Sequence, residues 1–274
     1  MKKINYKKVV VVIAWCFAIF GIALSLSFIS KQEKNLTVNS ININIINHNE
    51  NNFLDETDVQ DYFNSRNEIL LNNQYKNINI PLLEKTLNSH PSVANAEISI
   101  DLNGELKIEV EQRKPILRIL NQDGESYYID SQSKLMPLSE NYTARVLVAN
   151  GFINEPYARR SEFSVTQIKT NPIYNQISML DDLWDITSYI IQDSTLTALI
   201  HQINVTKNKE IELIPIVGDH KIIFGQATNI EEKFNKLKVF YKEGLTKTNS
   251  WNKYSAINIK YKNIIVGTKK TSII

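Results

Sequence analysis

The chain has 274 residues, of which 43% are hydrophobic and 22% charged, the mix of an ordinary globular protein of one large or two smaller domains. Residues 1–29 carry Lys2, Lys3, Lys7 and Lys8 and no acid, which leaves 27 basic against 29 acidic residues in the rest. A nearly neutral body lacks the clustered Lys and Arg that nucleic-acid binding needs, and a single cysteine, Cys16, excludes a disulfide framework or a cysteine metal site within one chain.

Val9 to Ile29 is an uncharged, largely apolar run. At about 1.5 Å per residue it reaches roughly 31 Å, the thickness of a bilayer core. The lysines before it outweigh the mixed flank Lys31, Glu33, Lys34, so residues 1–8 are expected in the cytoplasm and the bulk outside it. A cleaved signal peptide is the competing reading, but its apolar core would be about 7–15 residues. Cys16 follows Trp15, too bulky for lipoprotein processing, and reads as a small apolar residue of the membrane helix.

After a polar linker over residues 30–38, Asn39–Asn47 alternates Ile41, Ile43, Ile45 against Asn42 and Asn44, the pattern of a half-buried strand. Thr57 and Gln60 are spaced as a capping box for a short helix through Tyr62 and Phe63. Asn79-Ile80-Pro81 signals a second helix presenting Leu82, Leu83 and Leu87 and stopping before Pro91. A hairpin follows: Ala96, Ile98, Ile100 alternate toward Asp101-Leu102-Asn103-Gly104, and Leu106, Ile108, Val110 alternate away. A two-residue Asn103-Gly104 turn would set Ile100 opposite Lys107. A three-residue loop with Gly104 left-handed sets Ile100 opposite Leu106 and Ile98 opposite Ile108, keeping one apolar face.

The remainder reads as strands Ile116–Leu120, Tyr127–Ile129 and Val146–Ala149, then a helix after Pro172 with Ile177, Leu180, Trp184, Thr187 and Ile191 near helical spacing. Ile211–Val217 and Ile222–Phe224 form a hairpin about Gly218-Asp219. Thr228 and Glu231 fit a second capping box, opening a helix with Ile230, Phe234, Leu237 and Tyr241 on one face that ends near Gly244. The last element alternates Ile257, Ile259, Tyr261, continues to Ile264-Ile265-Val266, and reads as one strand.

The strand-helix-helix-strand-strand order, with Leu83-Glu84, Leu87 and His90-Pro91-Ser92-Val93-Ala94-Asn95-Ala96-Glu97-Ile98, resembles a POTRA domain. Val110-Glu111-Gln112-Arg113-Lys114-Pro115-Ile116 resembles the end of that domain in the bacterial cell-division family FtsQ, also called DivIB. The likeness continues through Tyr128-Ile129-Asp130, Lys134-Leu135-Met136-Pro137-Leu138, Gly218-Asp219-His220, Phe224-Gly225, Lys233-Phe234, Lys236-Leu237, Phe240-Tyr241, Trp251, Lys253-Tyr254 and Ile257-Asn258-Ile259-Lys260-Tyr261, covering most of residues 1–268. These are fold-determining residues, without a catalytic signature. The resemblance implies an α+β protein: a transmembrane helix (9–29), a POTRA domain with a three-stranded sheet and two helices (39–116), a mixed β-rich domain with helices packed on a sheet (117–268), and a short tail (269–274).

No catalytic constellation stands against that reading. His48, His90, His201 and His220 form no zinc-type pair, and no phosphate loop or nucleophile elbow is present. Surface or capping roles fit His90 and His220. Asp181-Asp182 and Glu231-Glu232 read as solvated helix faces. The expectation is a non-enzymatic protein with no cofactor, metal, nucleic acid or small-molecule substrate. The resemblance implies a final edge strand that docks an FtsB-like partner complexed with an FtsL-like one at the division septum, periplasmic side of the inner membrane. It places the contact on Lys260, Tyr261, Asn263 and Ile265, with Tyr261 as aromatic anchor and Lys260 meeting a partner acid. The alternative is a POTRA-containing helper of outer-membrane insertion or secretion, although such proteins usually carry several repeats or a barrel.

Overall fold

The computed structural model describes residues 15–22, 37–46, 52–157, 164–171 and 178–270, and the chain divides into two compact units at Gln112/Arg113. The anchor expected over Val9–Ile29 falls largely outside the described residues. Residues 15–22 of it are helical and exposed, and no helix among the described residues is long and apolar enough to cross a membrane.

The first unit holds β1 (Ser40–Ile46), α1 (Glu56–Asn64), a 3-10 turn (Tyr75–Asn77), α2 (Ile80–Asn88), β2 (Val93–Ile100) and β3 (Glu105–Gln112). The sheet order is β1-β3-β2, β1 parallel and β2 antiparallel to β3. The apolar alternation of three strands coincides across it: Ile41, Leu106 and Ile100 share one rung, Ile43, Ile108 and Ile98 the next. Gly104 has φ +80°, and a Cβ there would stand 2.4 Å from the Thr37 carbonyl, so the hairpin register rests on a glycine. Val59 and Phe63 of α1 and Leu83 and Leu87 of α2 bury against this sheet in one core.

Two helix readings are corrected. The α1 cap is Asp55, which accepts from the Asp58 N–H while Asp58 accepts from the Asp55 N–H; an Asp serves as both halves of the box, so Thr57 lies inside the helix. Leu82 is 48% exposed, because Leu83 and Leu87, four residues apart, already define the buried stripe.

The second unit contains β4 (Pro115–Leu120), β5 (Ser126–Asp130), β6 (Leu135–Met136), β7 (Leu147–Gly151), α3 (Val165–Thr170), α4 (Leu180–Ile191), α5 (Ser194–Leu199), β8 (Ile200–Val205), β9 (Ile211–Pro215), β10 (Lys221–Gly225), α6 (Ile230–Val239), a wider π-helical continuation (Phe240–Thr246), β11 (Tyr254–Asn258) and β12 (Val266–Lys269). Its nine described strands form one mixed sheet ordered β12-β11-β10-β9-β8-β7-β4-β5-β6. Strands β10 and β11 are parallel, which requires a long crossover, and α6 with its continuation is that crossover. Leu180, Leu183, Ile186 and Ile190 of α4 join Phe234 and Leu237 of α6 in the core over the sheet. The α4 stripe runs through these residues, whereas Ile191, read into it from the sequence, is exposed.

Polar ties fix the helices on the sheet. Glu155 accepts from Met179 N at 2.7 Å and from Ser178 Oγ at 2.7 Å at the start of α4. Arg113 pairs with buried Asp130 at 2.9 Å, whose carbonyl accepts from Trp184 Nε1. α6 departs from its expected cap: Asn229 precedes it in the left-handed region with no side-chain cap, and buried Lys233 instead donates to the Gln226 carbonyl at 2.7 Å.

Asp181, expected on a solvated face, is buried, and Asp182 is half-buried. Burial is the main cause that raises both carboxyls, Asp182 to about 6. Unfolded aspartates ionise near pH 4, so between about pH 4 and 6 the folded state binds more protons and stability falls as pH rises. Asp182→Asn is expected to stabilise the protein by about 1 kcal/mol at pH 7, after allowance for solvent screening, and by much less at pH 4. Urea unfolding at the two pH values measures this; an equal effect at both contradicts it. Leu83→Ala is expected to cost about 2–5 kcal/mol and Leu82→Ala under about 0.5 kcal/mol in the same assay.

Candidate partner-binding edge

The stretch read as one final strand is two. Alternation holds through Ile257 and Ile259 and then breaks parity at Ile264, and the break marks a turn. β11 ends at Asn258, the Ile259 N–H still donates to the Ile223 carbonyl, and Asn263 takes φ 60°. The chain reverses there and returns as β12, antiparallel to β11 with Ile257 opposite Gly267 and Asn258 opposite Val266.

β12 is the last strand of the sheet, and its four residues are all exposed. The opposite end, β6, has two residues, both buried. Three neighbours hold β12 in place. The Tyr254 ring covers Gly267 so closely that a Cβ there would lie 2.6 Å from it, an aromatic lid over an edge glycine. Tyr254 in turn meets Phe240 edge-on at 6.2 Å. Lys270 Nζ binds Asp219 at 2.8 Å, clipping the end of β12 to the β9–β10 turn.

The four residues expected at the contact lie in the β11–β12 connection, at the mouth of this edge. Lys260 Nζ is held by Glu210 at 3.1 Å, and that hydrogen bond raises its pKa. Its side chain packs beside Gly225, where a Cβ would stand 2.9 Å from the Lys260 Cβ. Tyr261 is 50% exposed, with Lys260 Nζ 5.5 Å from its ring centre, and its carbonyl accepts from Lys236 Nζ at 2.5 Å. Ile265 is half-buried against the core. Asn263 and Ile265 form one wall of an open groove of about 890 Å³ whose other wall is the helix, with Val239 and Phe240 as apolar lining and Glu231, Glu232 and Glu243 among its charged residues. The π-helical widening belongs to this wall: Gly244 lets the Phe240 ring approach, its absent Cβ being 3.3 Å from that ring.

Of the parts that hold the edge, the sequence places Phe240 and Tyr254 in the family likeness without a role, and Gly267 goes unread. A glycine within an otherwise β-branched and charged final stretch was the available signal. Sequence reading also misplaced His220, which is 3% exposed and bonds through Nε2 to the Tyr241 hydroxyl at 2.7 Å; burial lowers its pKa. His90 has a local role, its Nδ1 accepting from the Ser92 N–H, and His48 lies outside the described residues. Among the described residues, no group of three or more His, Cys, Asp or Glu is placed to hold a metal ion.

Gly267→Val is expected to push the Tyr254 ring aside and loosen β12. Amide exchange should quicken over Val266–Lys269 while β2 and β3 of the first unit keep their protection; unchanged exchange in β12 contradicts the lid.

Two family models match the chain. One, described as FtsQ/DivIB, C-terminal related, covers residues 114–268, and one described as a POTRA-like domain covers residues 37–111. No curated protein matches it. FtsQ/DivIB proteins are non-catalytic scaffolds of cell division, associated with the membrane at the division septum. The first match alone spans more than half of the residues, the two abut at the boundary between the structural units, and the chain therefore belongs to the FtsQ/DivIB family.

Proposed function

We propose that this protein is a single-pass inner-membrane scaffold of the divisome that takes a strand of an FtsB-like partner onto the outer edge of β12. The partner acts with an FtsL-like protein, and the complex helps recruit and control septal cell-wall synthesis. The anchor is Val9–Ile29, the N-terminus is cytoplasmic and both folded units are periplasmic, as the lysines before that segment direct.

The observation that carries the reading is the unequal ending of the nine-stranded sheet. β6 is buried, whereas β12 is exposed along its length, and an exposed edge supplies backbone donors and acceptors in strand geometry. Each added backbone hydrogen bond contributes about 0.5–1.5 kcal/mol net, so a short strand needs side-chain anchors as well. Tyr261 stands half-exposed at the mouth of the edge and supplies an aromatic one. The groove beside Asn263 and Ile265 takes an apolar side chain of the partner. Lys260 meets a partner carboxylate by sharing its bond with Glu210.

The test uses the full chain in nanodiscs and the periplasmic fragment of the FtsB-like protein encoded in the same genome. Tyr261→Ala is expected to weaken binding about 10–30-fold, the loss of one hot-spot aromatic. A chain ending at Lys262 lacks β12 and is expected not to bind, while retaining Ile257 and Ile259, which are buried in the core. Binding that survives that truncation, with both chains folded, overturns the site. A folded wild type that does not bind overturns the partner.

A further inference from the structure

The first unit has two sheet edges as well, and they are treated differently. The outer edge of β2 is covered by α2: Glu84 accepts from the Ile98 N–H at 2.9 Å, and Asn88 Nδ2 donates to the Ala96 carbonyl at 3.4 Å. The pairing of β2 with β3 also carries a register shift at Val93/Asn95. Among the described residues, the outer edge of β1 has none of these protections. Val38, just before it, exchanges hydrogen bonds with Asn72 and Asn73. From Ser40 to Ile46, no described strand pairs with the outer side.

β1 is also built without the usual guards. Its sequence, Ser-Ile-Asn-Ile-Asn-Ile-Ile, has no charge and no proline, and it pairs with β3 over all seven residues without a bulge. Uncharged, regular edge strands of this length are what soluble proteins avoid unless the edge is used. Beside it lies a groove of about 270 Å³ lined by Ile41, Ile43, Ile69 and Leu71 together with the polar Gln60 and Glu68, in which Ile69 is 75% and Leu71 46% exposed. Apolar surface therefore continues from the strand onto its flank.

The sequence specifies what fits there. Ile41-Asn42-Ile43-Asn44-Ile45 reads the same in both directions. A second copy running antiparallel, centred on Ile43, sets Ile43 opposite Ile43, Ile41 opposite Ile45 and Asn42 opposite Asn44. A two-fold interface requires such reciprocity. Backbone parity agrees. The N–H and C=O of Val38 point outward, to Asn73 and from Asn72. Strand alternation then turns those of Ser40, Asn42, Asn44 and Ile46 outward as well. In the antiparallel pair these are the residues that face one another, Asn42 with Asn44 and Ser40 with Ile46, and each such pair exchanges two hydrogen bonds. The isoleucines fall on the core face of both copies, where the groove beside Ile43 receives them.

We infer that β1 is a homodimerisation strand, joining the three-stranded sheets of two chains into one of six strands about a two-fold axis through Ile43. This strand belongs to the first unit, whereas β12 belongs to the second.

Cysteine crosslinking of the full chain in membranes, on a Cys16→Ser background, reads the register. Ile43→Cys is expected to form a disulfide-linked dimer on oxidation, since facing Cα atoms on a non-hydrogen-bonded pair lie about 4.5 Å apart. Asn42→Cys and Asn44→Cys, each expressed alone, are expected to crosslink poorly, because each faces the other position. Because Ile43→Cys also trims a buried side chain, a second measurement is independent of it. Asn42→Lys/Asn44→Lys changes two exposed residues and sets lysine opposite lysine; the purified full chain should pass from dimer to monomer by mass in detergent. A monomeric wild type, a double variant that remains dimeric, or crosslinking as strong at 42 or 44 as at 43 overturns the inference.

Discussion

A β-sheet satisfies the backbone of every strand except its last, whose outward N–H and C=O groups must find water, a cover or another chain. That constraint organises both units of this protein. In the second unit, the sheet closes at one end with Leu135 and Met136 buried and opens at the other with Val266–Lys269 exposed. In the first, α2 side chains occupy one edge, and no described strand pairs with the outer side of β1 at the other. The remaining architecture serves to keep these edges flat, ordered and in register. Tyr254 lies over Gly267, the widened helix brings Phe240 to Tyr254, and Lys270 is tied to Asp219.

Such edges need a rigid support, and the buried polar groups provide it. Asp130 takes Arg113 on one carboxylate oxygen and the Gln132 and Lys134 N–H groups on the other. Glu155 holds the start of α4. Asp193 accepts from the first N–H groups of α5 while Lys238 of α6 binds its second oxygen. Asp130 and Glu155 are buried, and buried carboxylates with satisfied oxygens are costly to misplace; Asp193, which is half-buried, ties α5 to α6. Their oxygens are occupied by groups of the fold itself.

The first unit was largely legible from sequence because its signals are local and agree with one another. The parity argument at Asp101–Gly104 returned the observed register, with Ile100 opposite Leu106, since only one loop length keeps both apolar faces together. Where the signals were ambiguous, the reading slipped by a residue or two: Asp55, not Thr57, caps α1, because several candidate caps stand in a row and only the folded chain selects one. In the second unit the errors are of another kind. Asp181, Lys233 and His220 are buried polar residues whose partners are remote in sequence or are backbone groups, and no local pattern announces them. α3 went unread because six residues are too few for a periodic signal. The residues named for the partner contact were read onto the final strand, whereas they occupy the connection before it, where Asn263 stands in the left-handed region.

The central claim, that a partner strand is added to β12, is tested most directly by amide hydrogen exchange of the full chain with and without the FtsB-like periplasmic fragment. The account predicts new protection at alternate residues from Ile265 to Lys269, with little change at β6. Protection centred elsewhere on the second unit, or binding that leaves β12 amides exchanging as in the free protein, would contradict it.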